Sequence, residues 1–298
     1  MPLRTFVINS SHYVAGSNNI FRFPLISNPD LTGCKIGVQT ASVYNSTFNI
    51  VDFWGNNKIS VGFPANATAT AYTTYNFTFP DSYMSISDMN YFIQSQCIAN
   101  GLYAINSQKQ YVYFIELSVN SVRYAGQLNI YPIPNVATAA ERGWTSASVK
   151  LIFQTTTPVL PSATFAQPFG NLIGLNAGKY GGVAGSSALN ILQPNNVPNI
   201  NPVNSYVLVC NLLNNPYCVP NNIFYTIPMN GALGSLVSIS SADPVFNDIA
   251  PNKYDYIQIT LYDQNLNPLM MKDKEMTLTL ALMDNRVPVN LRGTGLLQ

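Results

Sequence analysis

"YDYIQITLYDQNLNPLMMKDKEMTLTLALMD" runs from Tyr254 to Asp284. In its first half Tyr254, Tyr256, Gln258, Thr260 and Tyr262 fall on one side, and Ile257, Ile259 and Leu261 on the other. Successive side chains of a strand point to opposite sheet faces, so a period of two with one apolar face marks a half-buried strand. "EMTLTLALMD" repeats the pattern. Between them, "DQNLNPL" reads as a turn, because Asp and Asn side chains hydrogen-bond their own backbone and Pro cannot donate to a ladder. The expectation is two long antiparallel strands joined in a C-terminal hairpin.

The same alternation extends outward. "RTFVIN" near Arg4, "CKIGVQTASVYNS" from Cys34, "NKISVGF" and "YTTYNFTFP" read as strands. The second sets Ile36, Val38 and Thr40 on one side, and the last groups Tyr75, Phe77 and Phe79. "YVYFIELSV" (111–119), "RYAGQLNIYPIP" (123–134), "VKLIFQT" from Val149, "SYVLVCNLL", "NIFYTIPM" and "GSLVSISS" continue the series. One segment differs. In "PDSYMSISDMNYFIQSQCIANGLY" (80–103), Ile86, Met89, Phe92 or Ile93, and Cys97 recur at helical spacing. Ser85 or Ser87 is the N-cap, Asp88 sits at the positive end of the dipole, and Asn100-Gly101 supplies the stop. This predicts one amphipathic helix packed on a sheet. From Thr156 to Pro202 the chain turns rich in Pro, Gly, Ala and Asn, too long for an ordinary loop and too apolar for a linker. About ten to twelve strands with one main helix predicts an all-β sandwich or jelly roll.

Composition limits the function. Charged residues make up 9% of the 298-residue chain and hydrophobic residues 47%, against roughly 25% charged in an ordinary soluble domain. Polarity comes from Ser, Thr, Gln, Tyr and 36 asparagines. A neutral amide surface is cheaper to bury than a charged one, which suits packing against copies of itself. The net charge of +1 comes with no basic stripe, which argues against specific nucleic-acid binding. The N-terminus "MPLRTFVINSSHYV" reads as no secretory signal, and no apolar run reaches the roughly 18 residues of a membrane span. Cys34, Cys97, Cys210 and Cys218 match no zinc spacing and read as reduced thiols.

No residue earns assignment as catalytic, cofactor-binding or metal-binding. His12 is the single histidine and reads as an exposed loop residue, with its removal expected to change little. Asp243, Asp248, Asp255, Asp263, Asp273 and Asp284 stand beside Pro, Asn or strand ends, where Asp serves turns. Trp54 and Trp144 read as core or interface anchors. "FGNLIGLNAGKYGG" is glycine-rich but lacks the Gly-Lys-Ser/Thr of a phosphate loop.

Four segments together resemble capsid proteins of virophages and polinton-like viruses. "PDSYMSISDMNYFIQ" is similar to their P-[DE]-G-x-Y-[ST]-[IL]-x-[DE]-[LM]-N stretch, with Ser82 in place of the usual Gly. "CKIGVQTASVYNSTFNI" resembles the upstream strand pair, "FGNLIGLNAGKY" a glycine-containing loop, and Tyr254–Leu282 the C-terminal hairpin. In that lineage major capsid proteins are double jelly rolls forming trimers, and the vertex protein, the penton, is a single jelly roll forming pentamers. The resemblance and the chain length favour a penton. It implies a jelly-roll capsid domain over 1–284, with an inserted or decorating region around 156–202 and a C-terminal arm over 285–298. It also implies no enzyme, no cofactor, and residence in the virion after assembly inside the host cell. Its expected partners are itself, as a homopentamer, neighbouring major capsid trimers, other minor capsid proteins, and a host receptor or glycan. One alternative is a trimeric major or minor capsid protein with a compact double jelly roll. A second, from a different class, is a carbohydrate-binding or attachment module.

Overall fold

The computed structural model describes residues 3–183, 185–186 and 188–284, so the expected arm over 285–298 lies outside the described residues. Among the described residues there are nineteen strands and three α-helices. The chain opens with β1 (Leu3–Asn9), β2 (Ile20–Pro24) and β3 (Cys34–Tyr44). Ten strands follow: β4 (Lys58–Pro64), β5 (Tyr72–Thr78), β6 (Ala104–Ile105), β7 (Tyr111–Val112), β8 (Ile115–Asn120), β9 (Ala125–Ile130), β10 (Thr145–Ser146), β11 (Ser162–Phe165), β12 (Gly178–Gly181) and β13 (Asn190–Leu192). The helices α1 (Ile86–Asn100), α2 (Val136–Glu141) and α3 (Gln167–Ile173) lie in the same stretch. The chain then returns to strands with β14 (Ser205–Cys210), β15 (Ile223–Pro228), β16 (Leu236–Ser240), β17 (Asn247–Asp248), β18 (Tyr256–Tyr262) and β19 (Met276–Asp284). It divides into two compact units. One combines the residues up to Thr47 with those from Val203 on, and the other is Phe48–Pro202.

The first unit is an all-β sandwich whose strands pair from the outside inward. β1 pairs with β19, β2 with β18, β3 with β16, and β14 with β15, all antiparallel. Two further pairings, β19 with β3 and β18 with β14, complete sheets of order β1-β19-β3-β16 and β15-β14-β18-β2, with β17 added on β3. One long antiparallel hairpin rolled up on itself gives this order, which is that of a jelly roll. Ile8, Ile36, Val43, Leu278 and Leu280 of one sheet and Phe21, Tyr206, Leu208, Ile257 and Ile259 of the other are all fully buried. The second unit does not repeat this order among the described residues. Its sheets run β12-β11-β4-β5, β13-β9-β8 and β10-β6-β7, built around the hairpins β4/β5, β6/β7 and β8/β9. It is inserted in the chain between the third and fourth strands of the roll, and residues 156–202 form its closing part.

Three sequence expectations need correction. First, β18 and β19 are not a hairpin, because they belong to different sheets. The turn itself is present: the Asp263 carboxylate accepts from the amides of Asn265 and Asn267, each at 2.8 Å, and from the Asn267 side chain at 2.9 Å. The chain then crosses to the other sheet, anchored where Ser46 Oγ bonds both the carbonyl and the amide of Asp273 at 3.0 Å. Second, Thr40 does not share a face with Ile36 and Val38. The β3–β19 register shifts between Thr279 and Leu280. A bulge moves every later side chain to the opposite face, so Ala41 and Val43 are buried instead. Third, "VKLIFQT" is not a strand. Ser146 Oγ donates to the Leu151 carbonyl at 2.6 Å, and the Lys150 amide donates to Ser148 Oγ at 3.0 Å. Such local side-chain bonds compete with ladder formation, and only Gln154 bridges, to Asn135.

Helix α1 follows its sequence signals closely. The Asp88 amide donates to Ser85 Oγ at 3.2 Å and the Ser85 amide donates to Asp88 Oδ2 at 3.0 Å, a complete capping box. Gly101 ends the helix at φ 70°. Ile86, Met89, Ile93 and Cys97 are its buried residues. Asn90 Oδ1 accepts from the Leu117 amide at 2.9 Å, tying the helix to β8. Ser85→Ala is expected to cost about 1 kcal/mol in urea unfolding at neutral pH. The Ser85 hydrogen bonds hold the Asp88 carboxyl below its usual range. A depressed carboxyl stabilises the fold above its unfolded pKa, about 3.9, and the benefit is lost as pH falls through the folded value. The gap between wild type and Ser85→Ala therefore narrows in acid.

Helix α3 was not legible as a helix. Pro168 stands in its first turn, where a missing N–H costs nothing. Gly170 lies where the Leu175 carbonyl occupies the place of a Cβ, and Gly174 caps the end at φ 85°. The core of the second unit gathers around Phe79, whose ring lies 4.4 Å from Phe92 and 5.4 Å from Phe169. Buried asparagines brace this unit. Asn49 Nδ2 donates to the carbonyls of Met84 at 2.9 Å and Ile200 at 3.0 Å, and its Oδ1 accepts from the Met84 amide at 2.9 Å. Asn56 bonds the Val51 amide and the Asn49 carbonyl, both at 2.8 Å.

Candidate functional site

The residues weighed as candidates in the sequence are scattered. His12 sits in a 3-10 turn after β1, half-buried rather than exposed. Its Nδ1 accepts from the Asn9 amide at 3.2 Å and its ring lies 5.0 Å from that of Phe23. That capping contact gives it a structural role missed by the loop reading. Asp248 pairs with Lys35 at 3.1 Å, and Asp263 and Asp273 hold turns. Among the described residues no group of three or more His, Cys, Asp or Glu could hold a metal ion. All four cysteines are free thiols, and burial pushes those of Cys97 and Cys210 up to about 12. None of these residues forms a site with another.

An aromatic cleft in the second unit does gather functional groups. The turn between β6 and β7 is set by Asn106, whose Oδ1 accepts from the amides of Gln108 at 3.0 Å and Gln110 at 2.8 Å. This turn brings Tyr111 back beside Tyr103, with ring centroids 4.8 Å apart, and Tyr113 stands 6.5 Å from each. Phe114 packs edge-on against Trp144 at 6.2 Å, and the Arg142 guanidinium lies 5.0 Å over the Trp144 ring. Gln94 of α1, Glu116 of β8, Tyr131 and Pro132 complete a concavity of about 400 Å³. Tyr131 donates to Glu116 Oε2 at 2.8 Å. Burial, followed by the Glu116 hydrogen bond and charge, pushes the Tyr131 phenol up to about 12. Tyr131 thus stays a donor that fixes the carboxylate. Among the described residues no hydrogen bond or ion pair engages the Arg142 guanidinium, and no hydrogen bond engages the side-chain amide of Gln94. The cleft can offer flat apolar faces with donors and acceptors at their rim, an arrangement suited to binding.

The sequence carried one signal for this cleft, the Tyr111/Tyr113 spacing of two in a strand whose partner was not known. Trp144, from the turn after α2, reads in the sequence only as a core or interface anchor, and Arg142 beside it gives no signal.

No protein-family model and no curated protein matches the chain. Two solved structures are similar over nearly its full length. One is a selenomethionine-labelled mavirus penton protein, 9% identical, with a TM-score of 0.42, covering 94% of this chain and 98% of that one. The other is a chain from the cryo-EM structure of the Sputnik virophage, 11% identical, with a TM-score of 0.38, covering 95% and 98%.

Proposed function

We propose that this chain is a structural subunit of a virophage-type capsid, and specifically a penton that closes homopentamers at icosahedral vertices beside major capsid trimers. The observation that carries the reading is the outside-inward strand pairing of the first unit in a chain so poor in charge. A jelly roll alone serves lectins and enzymes as well as shells. What favours a shell is the side of the subunit. With 9% charged residues and two ion pairs among the described residues, lateral contact desolvates few charges. Tyr217, Val219 and Val245, all in connections of the roll, are 94%, 95% and 74% exposed. A subunit whose two contact patches are related by a fixed rotation closes a ring without chemistry. The virion is then its place, and no catalytic role is assigned.

Light scattering after size exclusion, with negative-stain images of the peak, tests this. The expected result is a five-fold ring with the mass of five 32.7 kDa chains. A three-fold, pseudo-hexagonal particle would replace the penton by a facet capsomer. A protein that stays monomeric at high concentration and also fails to join rings with major capsid protein would sink the capsid reading.

A further inference from the structure

We infer that the aromatic cleft of the second unit binds a neutral carbohydrate chain. The inference does not depend on whether the roll assembles, so the two can fail separately.

The geometry suits a ligand. A volume of about 400 Å³ lies within the roughly 300–1,000 Å³ of small-molecule sites. Tyr111 keeps half its surface exposed although it packs on Tyr103. Its ring, with those of Tyr113 and Trp144, lines one cavity. A pyranose ring carries C–H groups on its faces and hydroxyls around its edge. Aromatic faces take the C–H side, and the polar groups around them take the hydroxyls.

The polar groups decide the class of ligand. Glu116 is an acceptor with one oxygen held by Tyr131. Arg142 is a donor whose guanidinium lies over Trp144 and has no hydrogen-bond or ion-pair partner among the described residues. Gln94 offers both functions. An anionic ligand meets Glu116 and a cationic one meets Arg142. A wholly apolar ligand would strip water from both charges without replacing it, which is costly. A proline-rich peptide also favours aromatic grooves, but its prolines have no N–H, so it brings no donor to the Glu116 oxygen that Tyr131 does not hold. Sugar hydroxyls both donate and accept, so a ring carrying several of them can supply a partner of the right sense to each of the three side chains.

The chain has two tryptophans, so Trp54→Phe leaves Trp144 as the single indole reporter. In that background the full-length protein is titrated with cellotriose, maltotriose, mannotriose, laminaritriose and chitotriose while Trp144 emission is followed. The expected result is a saturable change with at least one of them. Tyr111→Ala and Glu116→Gln should each weaken that binding about tenfold or more. Tyr111 is half-exposed, and the amide oxygen introduced by Glu116→Gln would still accept from Tyr131, so both variants are expected to fold. A flat response to all five sugars overturns the inference. Saturation by decaproline or by sialyllactose alone also overturns it, in favour of a peptide or an anion. Binding that both variants leave intact shows that the sugar sits elsewhere.

Discussion

Asn49→Ala is expected to destabilise the second unit by about 2–4 kcal/mol, since three half-buried backbone groups lose their partners at about 1–3 kcal/mol each, with partial relaxation. The side chain has no exposed surface. It holds Met84 by both amide and carbonyl and reaches Ile200 at the far end of the unit. Asn49→Asp keeps the acceptor for the Met84 amide but turns the two donated bonds into repulsions between oxygens, so it should be at least as damaging. Both tryptophans fall within 48–202, and their emission during urea unfolding follows this unit selectively. A loss below about 1 kcal/mol would mean that water or a shifted backbone satisfies the orphaned groups.

Phe79→Ala is expected to cost about 3–5 kcal/mol by the same measurement, the usual range for emptying a large aromatic site in a core. Phe79 is 1% exposed and lies against Phe92 of α1 and Phe169 of α3. The vacated space is bounded by a helix on each side. Phe53→Ala is the control. Phe53 is 80% exposed, and its removal should stay within about 0.5 kcal/mol. If Phe79→Ala were as mild as Phe53→Ala, the aromatic cluster would not be the centre of this core.

These two residues show what the sequence discloses. Helix α1 was legible as a helix because its cap, apolar stripe and stop are all local, although the sequence allows Ser85 or Ser87 as the cap and Phe92 or Ile93 as the core position; the structure takes Ser85 and Ile93. The long strands were legible as strands, since residues such as Ile257, Ile259 and Leu261 alternate with polar neighbours, but two- to four-residue strands such as β10, β12 and β13 are too short to show a period, so ten to twelve strands were expected where nineteen form among the described residues. The partners of the long strands were not legible, because a period of two names the buried face and says nothing of the neighbouring strand. Hence β18 and β19 looked like a hairpin. A bulge such as that beside Thr279 leaves no mark in composition. The border between the units was half visible. Pro202 closes a stretch rich in Pro and Asn, but Thr47 lies inside "NSTFNI" with nothing to set it apart. The asparagines read as a neutral surface, yet Asn49 and Asn56 are internal braces. The cleft stayed hidden because Gln94, Glu116 and Trp144 come from segments whose meeting depends on tertiary structure.

The outside-inward pairing also sets a timetable for synthesis. Leu3 pairs with Met283, so the first strand made must wait for the last. At about 5–20 residues per second, that wait is roughly 15–60 s. β1, β2 and β3 spend it with unpaired edges, and charge repulsion does little to keep them from other chains. The second unit has its partners within one continuous stretch, from Phe48 to Pro202, and can finish while the roll is still a fragment. The newborn subunit therefore carries a folded middle between two unfolded ends. Crowded ribosomes making this protein would put several such ends side by side, and the step most exposed to error is the closing of each roll on its own strands.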